Sequence, residues 1–333
     1  MNQDCLKLTT YFGERDRCDG RFLADALLDV YGANELEASI LLRGTEGFGA
    51  KHRLHTQRLL TLSEDLPLVA IAVDTRERIE ATLPRVTELV PHGLITLEHA
   101  RLLTGEVVEE RLGEQSGEGT KLMIYVGRRH RVGGEPAWSE VVALLHRRGV
   151  AGATALLGVD GTAGGARRRA RFFGANADVP VMIIAVGDGD RIAAVLPELG
   201  ALLERPLMTL EQVVVCKRDG RRLAEPQHPP EAGMSQKLMI YGGEQGLVRR
   251  LRAAGAAGAT VLRGFWGYHG DHPPHGDTFW KLRRAAPEVT VVVDTPQNIG
   301  RVFGIVDEMT ERAGLVTSEM VPVPSLQPPG LRC

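Results

Sequence analysis

The sequence predicts an α+β fold: three ferredoxin-like βαββαβ units, packed within one chain as an internal pseudo-trimer. Three observations lead there. The first is a tripled opening strand. Lys7-Leu8-Thr9-Thr10-Tyr11-Phe12-Gly13-Glu14 returns as Lys121-Leu122-Met123-Ile124-Tyr125-Val126-Gly127-Arg128 and as Lys237-Leu238-Met239-Ile240-Tyr241-Gly242-Gly243-Glu244. The lysines are 114 and 116 residues apart, a period of whole-domain size and too long for a solenoid. The second is the element order within a copy, which reads strand, helix, strand, strand, helix, strand. The third is that such a sheet carries helices on one face only. Its other face needs cover, and association of the copies supplies it.

Each element of the first copy has a local reason. Residues 7–12 alternate like a strand, and Phe22, Leu23, Ala26, Leu27 and Val30 make one stripe of a helix over 21–31. Residues 38–43 read as the second strand. A long polar loop follows over 45–62, then a buried strand over 67–73. Asp74-Thr75 caps a helix running to about Leu89, Gly93 breaks it, and 94–103 form the last strand. The second strand recurs as Ala155-Leu156-Leu157-Gly158 and Thr260-Val261-Leu262-Arg263-Gly264. Each copy closes on a threonine and a glutamate: Thr96 and Glu98, Thr209 and Glu211, Thr317 and Glu319. Arg43 lies 36 residues after Lys7 but Arg263 only 26 after Lys237, so the first helix of the third copy is short, between Gly246 and Ala254. The domains fall at 1–104, 120–217 and 236–325. Residues 105–119 read as an acidic linker, residues 217–235 as a proline-containing one, and the tail from Pro322 as frayed.

Bulk composition narrows the class. Hydrophobic content of 43% and charged content of 25% describe a soluble globular protein. A net charge of −2 gives no drive toward nucleic acid or anionic membrane. No apolar run approaches the ~20 residues of a membrane span, and the N-terminus is no signal peptide. Cys5, Cys18, Cys216 and Cys333 lack paired metal spacing and fit free thiols in a reducing cytoplasm.

Several of these segments together resemble a known family. They are the K-L-x-I-Y-x-G-E opening, Ala257-Gly258-Ala259-Thr260-Val261-Leu262-Arg263-Gly264, and Gly47-Phe48-Gly49 followed by His55. Leu62 to Pro67 and the Val-Asp-Thr that opens the last helix belong with them. The set resembles the DUF190 family, grouped with PII-like signalling proteins. The likeness covers nearly all of copy one, both ends of copy three and the framework of copy two. It implies PII-like domains arranged about a threefold axis, with small ligands, often nucleotides, held in clefts between neighbours. It also implies that residues 45–62, 159–177 and 265–286 are the partner-contacting loops, and that a membrane transporter or channel is the partner.

The candidate ligand residues are Arg43, Gly44, Gly47, Phe48, Gly49, His52 and His55 in copy one, with Arg263 and Gly264 in copy three. Glycines let backbone N–H groups approach an anion, and an arginine adds a charge-assisted bond. Copy two departs from this pattern: Leu157 replaces the arginine, and its loop carries Arg167-Arg168-Arg169 and Arg171. Copy three carries His269, Asp271, His272, His275 and Asp277, a candidate site for a divalent metal such as zinc, nickel or copper. No catalytic constellation, Walker loop or Rossmann fingerprint stands out. The sequence therefore reads as a cytoplasmic PII-like regulator, not an enzyme. It would be monomeric, bind a small anionic ligand such as a nucleotide, and use fewer than three of its clefts. A metal-binding protein is the alternative.

Overall fold

The alternation that opens each copy places one set of side chains on either face of a sheet, and the two faces have different fates. The computed structural model describes residues 2–49, 55–56, 65–104, 118–163, 166–167, 179–204, 206–226, 233–270, 272–276, 287–311 and 314–324. Repeat 1 comprises β1 (Asn2–Gly13), α1 (Leu23–Ala33), β2 (Ala38–Phe48), β3 (Pro67–Thr75), α2 (Arg76–Leu89) and β4 (Leu94–Thr104). Repeat 2 comprises β5 (Glu118–Gly127), α3 (Ala137–Arg147), β6 (Gly152–Leu157), β7 (Asp160–Ala163), β8 (Pro180–Gly187), α4 (Gly189–Leu203) and β9 (Leu207–Arg218). Repeat 3 comprises β10 (Met234–Tyr241), α5 (Leu247–Ala253), β11 (Ala259–Arg263), β12 (Trp266–His269), β13 (Glu288–Asp294), α6 (Pro296–Glu308) and β14 (Leu315–Pro322).

The expectation of three ferredoxin-like α+β domains is corrected by the strand pairing. The sheets do not end at repeat boundaries. Nine strands, each antiparallel to the next, run β2, β3, β1, β4, β9, β14, β10, β13, β11 and back to β2. The fold is thus a closed nine-stranded antiparallel barrel with extra strands. β9 joins the parts: Leu207–Leu210 pair with β4 and Val214–Arg218 with β14, while its other edge takes β5. The remaining strands of repeat 2 continue outward as β5, β8 and β6, and β6 pairs with β12 of repeat 3. The physical reason is edge chemistry. An isolated four-stranded unit would leave two rows of unpaired backbone groups, and closure removes them.

The same pairing corrects two local expectations. β2 does not stop at residue 43, because its extension to Phe48 is hydrogen-bonded to β11 of repeat 3. The segment 217–235 is only partly a linker: Lys217 and Arg218 end β9, and Leu223 and Ala224 donate backbone N–H groups to the Cys216 carbonyl.

Helix starts follow local chemistry. Thr75 accepts from the Arg78 backbone N–H and Thr295 from that of Asn298, with Pro296 opening α6. Asp74 and Asp294 tie the preceding connections down by accepting from the Glu37 and Ala257 backbone N–H groups at 2.9 and 2.7 Å. The outward face of each sheet packs under its helices. Leu6, Leu8, Leu27, Ile79 and Val86 share one such core, while Val141, Ile183 and Leu196 share a second, and Leu238, Val302 and Phe303 a third. The inward faces of all three repeats meet in a fourth core, where Ile71, Ile184, Met239 and Val291 belong to one cluster. Among the described residues no helix is long and apolar enough to cross a membrane.

Candidate functional site

At the centre of the fourth core lies a ring of six charges. Lys7 stands opposite Glu98 across its ladder, Glu211 opposite Lys121, and Lys237 opposite Glu319. Each ammonium contacts the carboxylate of its own repeat, at 3.5, 2.8 and 2.9 Å respectively. Each also contacts the carboxylate of the next repeat: Lys7–Glu211 at 2.6 Å, Lys121–Glu319 at 2.5 Å and Lys237–Glu98 at 3.0 Å. All six residues are buried. Burial alone would raise Glu98 and Glu319, but the facing ammoniums outweigh it. Glu98 is held down at about 2, and Glu319 well below the ordinary carboxylate range. Thr9 and Thr96 each donate a hydroxyl to Glu98, at 2.9 and 2.7 Å. The ring locks the three repeats in mutual register.

Around this frame, the strand that enters the long loop of each repeat lies against the second strand of another repeat. β2 pairs with β11, β7 with β2, and β12 with β6. Each crossing delivers an apolar anchor into the helix-side core of the neighbour. Phe48 packs in the core of repeat 3, Val159 against that of repeat 1, and Tyr268 in that of repeat 2. One glycine position per crossing permits the close approach. A Cβ on Gly47 would lie 2.8 Å from the Ala259 carbonyl oxygen, and one on Gly161 or Gly267 closer still to the Ser39 or Ala153 oxygen.

The three seams differ chemically. Between repeats 2 and 1, Ser39 and Thr162 share a hydroxyl hydrogen bond at 2.8 Å, and Gly161 abuts the Ser39 backbone. Between repeats 3 and 2 the seam is aromatic. Trp138 meets Phe265 and Trp266 edge-on at 4.9 and 6.0 Å, and the Tyr268 hydroxyl donates to the Val150 carbonyl at 3.0 Å.

Between repeats 1 and 3 the seam is charged. Gly44 pairs with Leu262 and Glu46 with Val261, so Thr45 is the extra residue of a β-bulge. The next positions beyond the Gly44–Leu262 pair are Arg43 and Arg263. The bulge restores the face parity of Arg43 and Glu46, so Arg43, Glu46 and Arg263 share one face. Arg43 is ion-paired with Glu14, and Arg263 stands opposite Glu288 on β13. Arg249 of α5 approaches Glu46 at 3.9 Å. Burial raises both Glu46 and Glu288. Arg249 pulls against the shift at Glu46 and Arg263 against that at Glu288, which the Glu46 charge reinforces.

Of the ligand candidates read from sequence, the structure brings Arg43, Gly44 and Arg263 to this seam, with Gly264 following directly. Gly44 and Gly47 serve close strand packing, and Phe48 is buried in the repeat 3 core. His55 pairs with Gly47, and Gly49 is exposed. His52 lies outside the described residues, as do Asp271 and Asp277 of the metal candidates. The His269 ring sits 5.4 Å from that of His272 and 6.3 Å from that of His275, and burial with these neighbours lowers His269. Among the described residues no group of three or more His, Cys, Asp or Glu side chains is arranged to hold a metal ion. In the sequence the six ring residues stand out only as repeat landmarks. The signal that marks them is a charge recurring at an inward position of an otherwise apolar strand. Glu46, Arg249 and Glu288 carry no such signal, since only pairing across repeats brings them together.

Comparison with known proteins agrees with the threefold repetition. A curated relative, UPF0166 protein MJ1524 of Methanocaldococcus jannaschii, is 24% identical over 103 residues, spanning 31% of this chain and 94% of that protein. A solved structure described as an anthrone oxidase-like protein aligns at 12% identity over 67% of this chain and 94% of its own. Its TM-score of 0.17 carries no argument. The model of the DUF190 family, described as an uncharacterized ACR, matches residues 5–102, 119–215 and 239–323. The chain belongs to the DUF190 family, three times over.

Proposed function

We propose that this DUF190 protein is a regulatory binding protein that takes a small anionic ligand at the seam between repeats 1 and 3. The carrying observation is the β2–β11 register, which ends at the Gly44–Leu262 pair and so leaves Arg43 and Arg263 as the next residues of two strands from two repeats. Two guanidiniums on one face would form a fork for a phosphate or carboxylate, with Glu14 paired to Arg43 and the Glu288 charge acting on Arg263 until a ligand competes. A ligand bound there bridges the base of the repeat 1 loop and the sheet of repeat 3. Binding one loop arrangement better than another is then the signalling step. The loop would carry that signal to a partner protein; a membrane transporter or channel is the class the sequence resemblance suggests. The other two seams are closed by hydroxyl and aromatic packing, which favours one site per chain. Barrel closure uses the strand edges internally, which supports a monomer.

The test is calorimetry with AMP, ADP, ATP, inorganic phosphate and zinc chloride, on the native chain and on Arg43→Ala and Arg263→Ala. Each substitution is expected to weaken the bound phosphorylated probe by about 1.5–3 kcal/mol, the range for a charge-assisted hydrogen bond. Heat from zinc alone, or equal affinity in all three proteins, would overturn the assignment.

A further inference from the structure

The anion fork leaves one polar atom of the same seam unaccounted for. Glu46 Oε1 is buried and has no hydrogen-bond partner among the described residues. Arg249 Nε stands 3.9 Å from it, too far for a hydrogen bond. The Glu46 side chain as a whole keeps 25% of its exposure, so the seam is open beside it. A carboxylate oxygen withdrawn from water and unmatched by a donor is uncommon in a folded protein, and here its residue shares a strand face with two arginines.

The bulge at Thr45 is what aims it there. Without the extra residue, Arg43 and Glu46 would lie three apart on a regular strand and point to opposite faces. With it, they share the face that also carries Arg263. An anionic group held by Arg43 and Arg263 therefore lies on the strand face that also carries an acceptor without a hydrogen. A ligand with only acceptors would meet repulsion at Glu46, whereas one with an N–H group would satisfy it.

Resting on the reading of this seam as the ligand site, we propose that its ligand is an anion that also bears an N–H donor, received by Glu46. The anionic end fixes the molecule on the arginine fork, and the N–H end selects among anions of similar charge. Sites that recognise a donor in this way discriminate strongly against analogues that replace it by an acceptor, because the buried carboxylate is then left facing a lone pair.

The experiment compares AMP with purine riboside 5′-phosphate, in which a hydrogen replaces the exocyclic amine so that no N–H remains, and with ribose 5-phosphate, which lacks the base. Calorimetry is run on the native chain and on Glu46→Gln, with circular dichroism to verify folding. The native protein is expected to favour AMP over purine riboside 5′-phosphate by at least about tenfold. Glu46→Gln, whose amide offers both donor and acceptor, should bring the two within about threefold. Equal binding of AMP and purine riboside 5′-phosphate to the native chain, or a preference that survives in Glu46→Gln, would overturn the N–H assignment while leaving the fork intact. Failure of all three phosphates to bind would instead overturn the seam as the ligand site.

Discussion

Lys121→Met tests the central ring. Lys121 is fully buried and lies 2.8 Å from Glu211 and 2.5 Å from Glu319. Methionine fills nearly the same volume, so the perturbation is one of charge. It converts a neutral ring into one with a net negative charge inside a closed core. Removing one partner of a buried pair costs about 3–5 kcal/mol, because the remaining charge is stranded without solvent. Here Glu211 keeps Lys7 at 2.6 Å and Glu319 keeps Lys237 at 2.9 Å, which places the expected loss near the lower end, about 3 kcal/mol. Urea unfolding with an unchanged m-value measures it. Adding Glu319→Gln restores neutrality, so the double variant should recover on the order of 2 kcal/mol relative to additivity. The pH dependence has a definite sign. Glu98 and Glu319 are depressed in the folded state, so their contribution is present above the ordinary carboxylate value of 4.5 and is lost as pH falls toward about 2. The deficit of Lys121→Met against the native chain should therefore shrink across that window. A loss below about 1 kcal/mol, the worth of an exposed pair, or strict additivity in the double variant, would refute the reasoning.

Two further outcomes follow from the closed barrel. Phe48→Ala removes a buried ring from the repeat 3 core although the residue belongs to repeat 1, so a loss of about 3–5 kcal/mol is expected, with amide exchange quickening first in α5 and α6. Exchange quickening confined to repeat 1 would contradict the crossing. Light scattering at micromolar concentration should give the mass of one chain, since the barrel pairs its strand edges internally; a mass of two or three chains would mean that unsatisfied surface remains.

The sequence by itself determined the repetition and the local elements. α2 begins where Asp74-Thr75 marks it, α5 is short because the third copy lost residues, and Lys7, Lys121 and Lys237 announce the period. Spacing and capping are local properties, and one chain displays them without folding. Tertiary structure decided what the repeats do to one another. Ladder hydrogen bonds between β2 and β11 or between β9 and β14 join residues far apart in the chain, and no periodicity within either strand specifies its partner. The sequence displays Lys7 and Glu211 as a landmark in each of two copies, whereas only barrel closure makes them an ion pair. Arg43 was legible as a cation at a strand end. That it shares a face with Glu46 and Arg263 depends on a single extra residue at Thr45, and a bulge exists only relative to the strand it opposes.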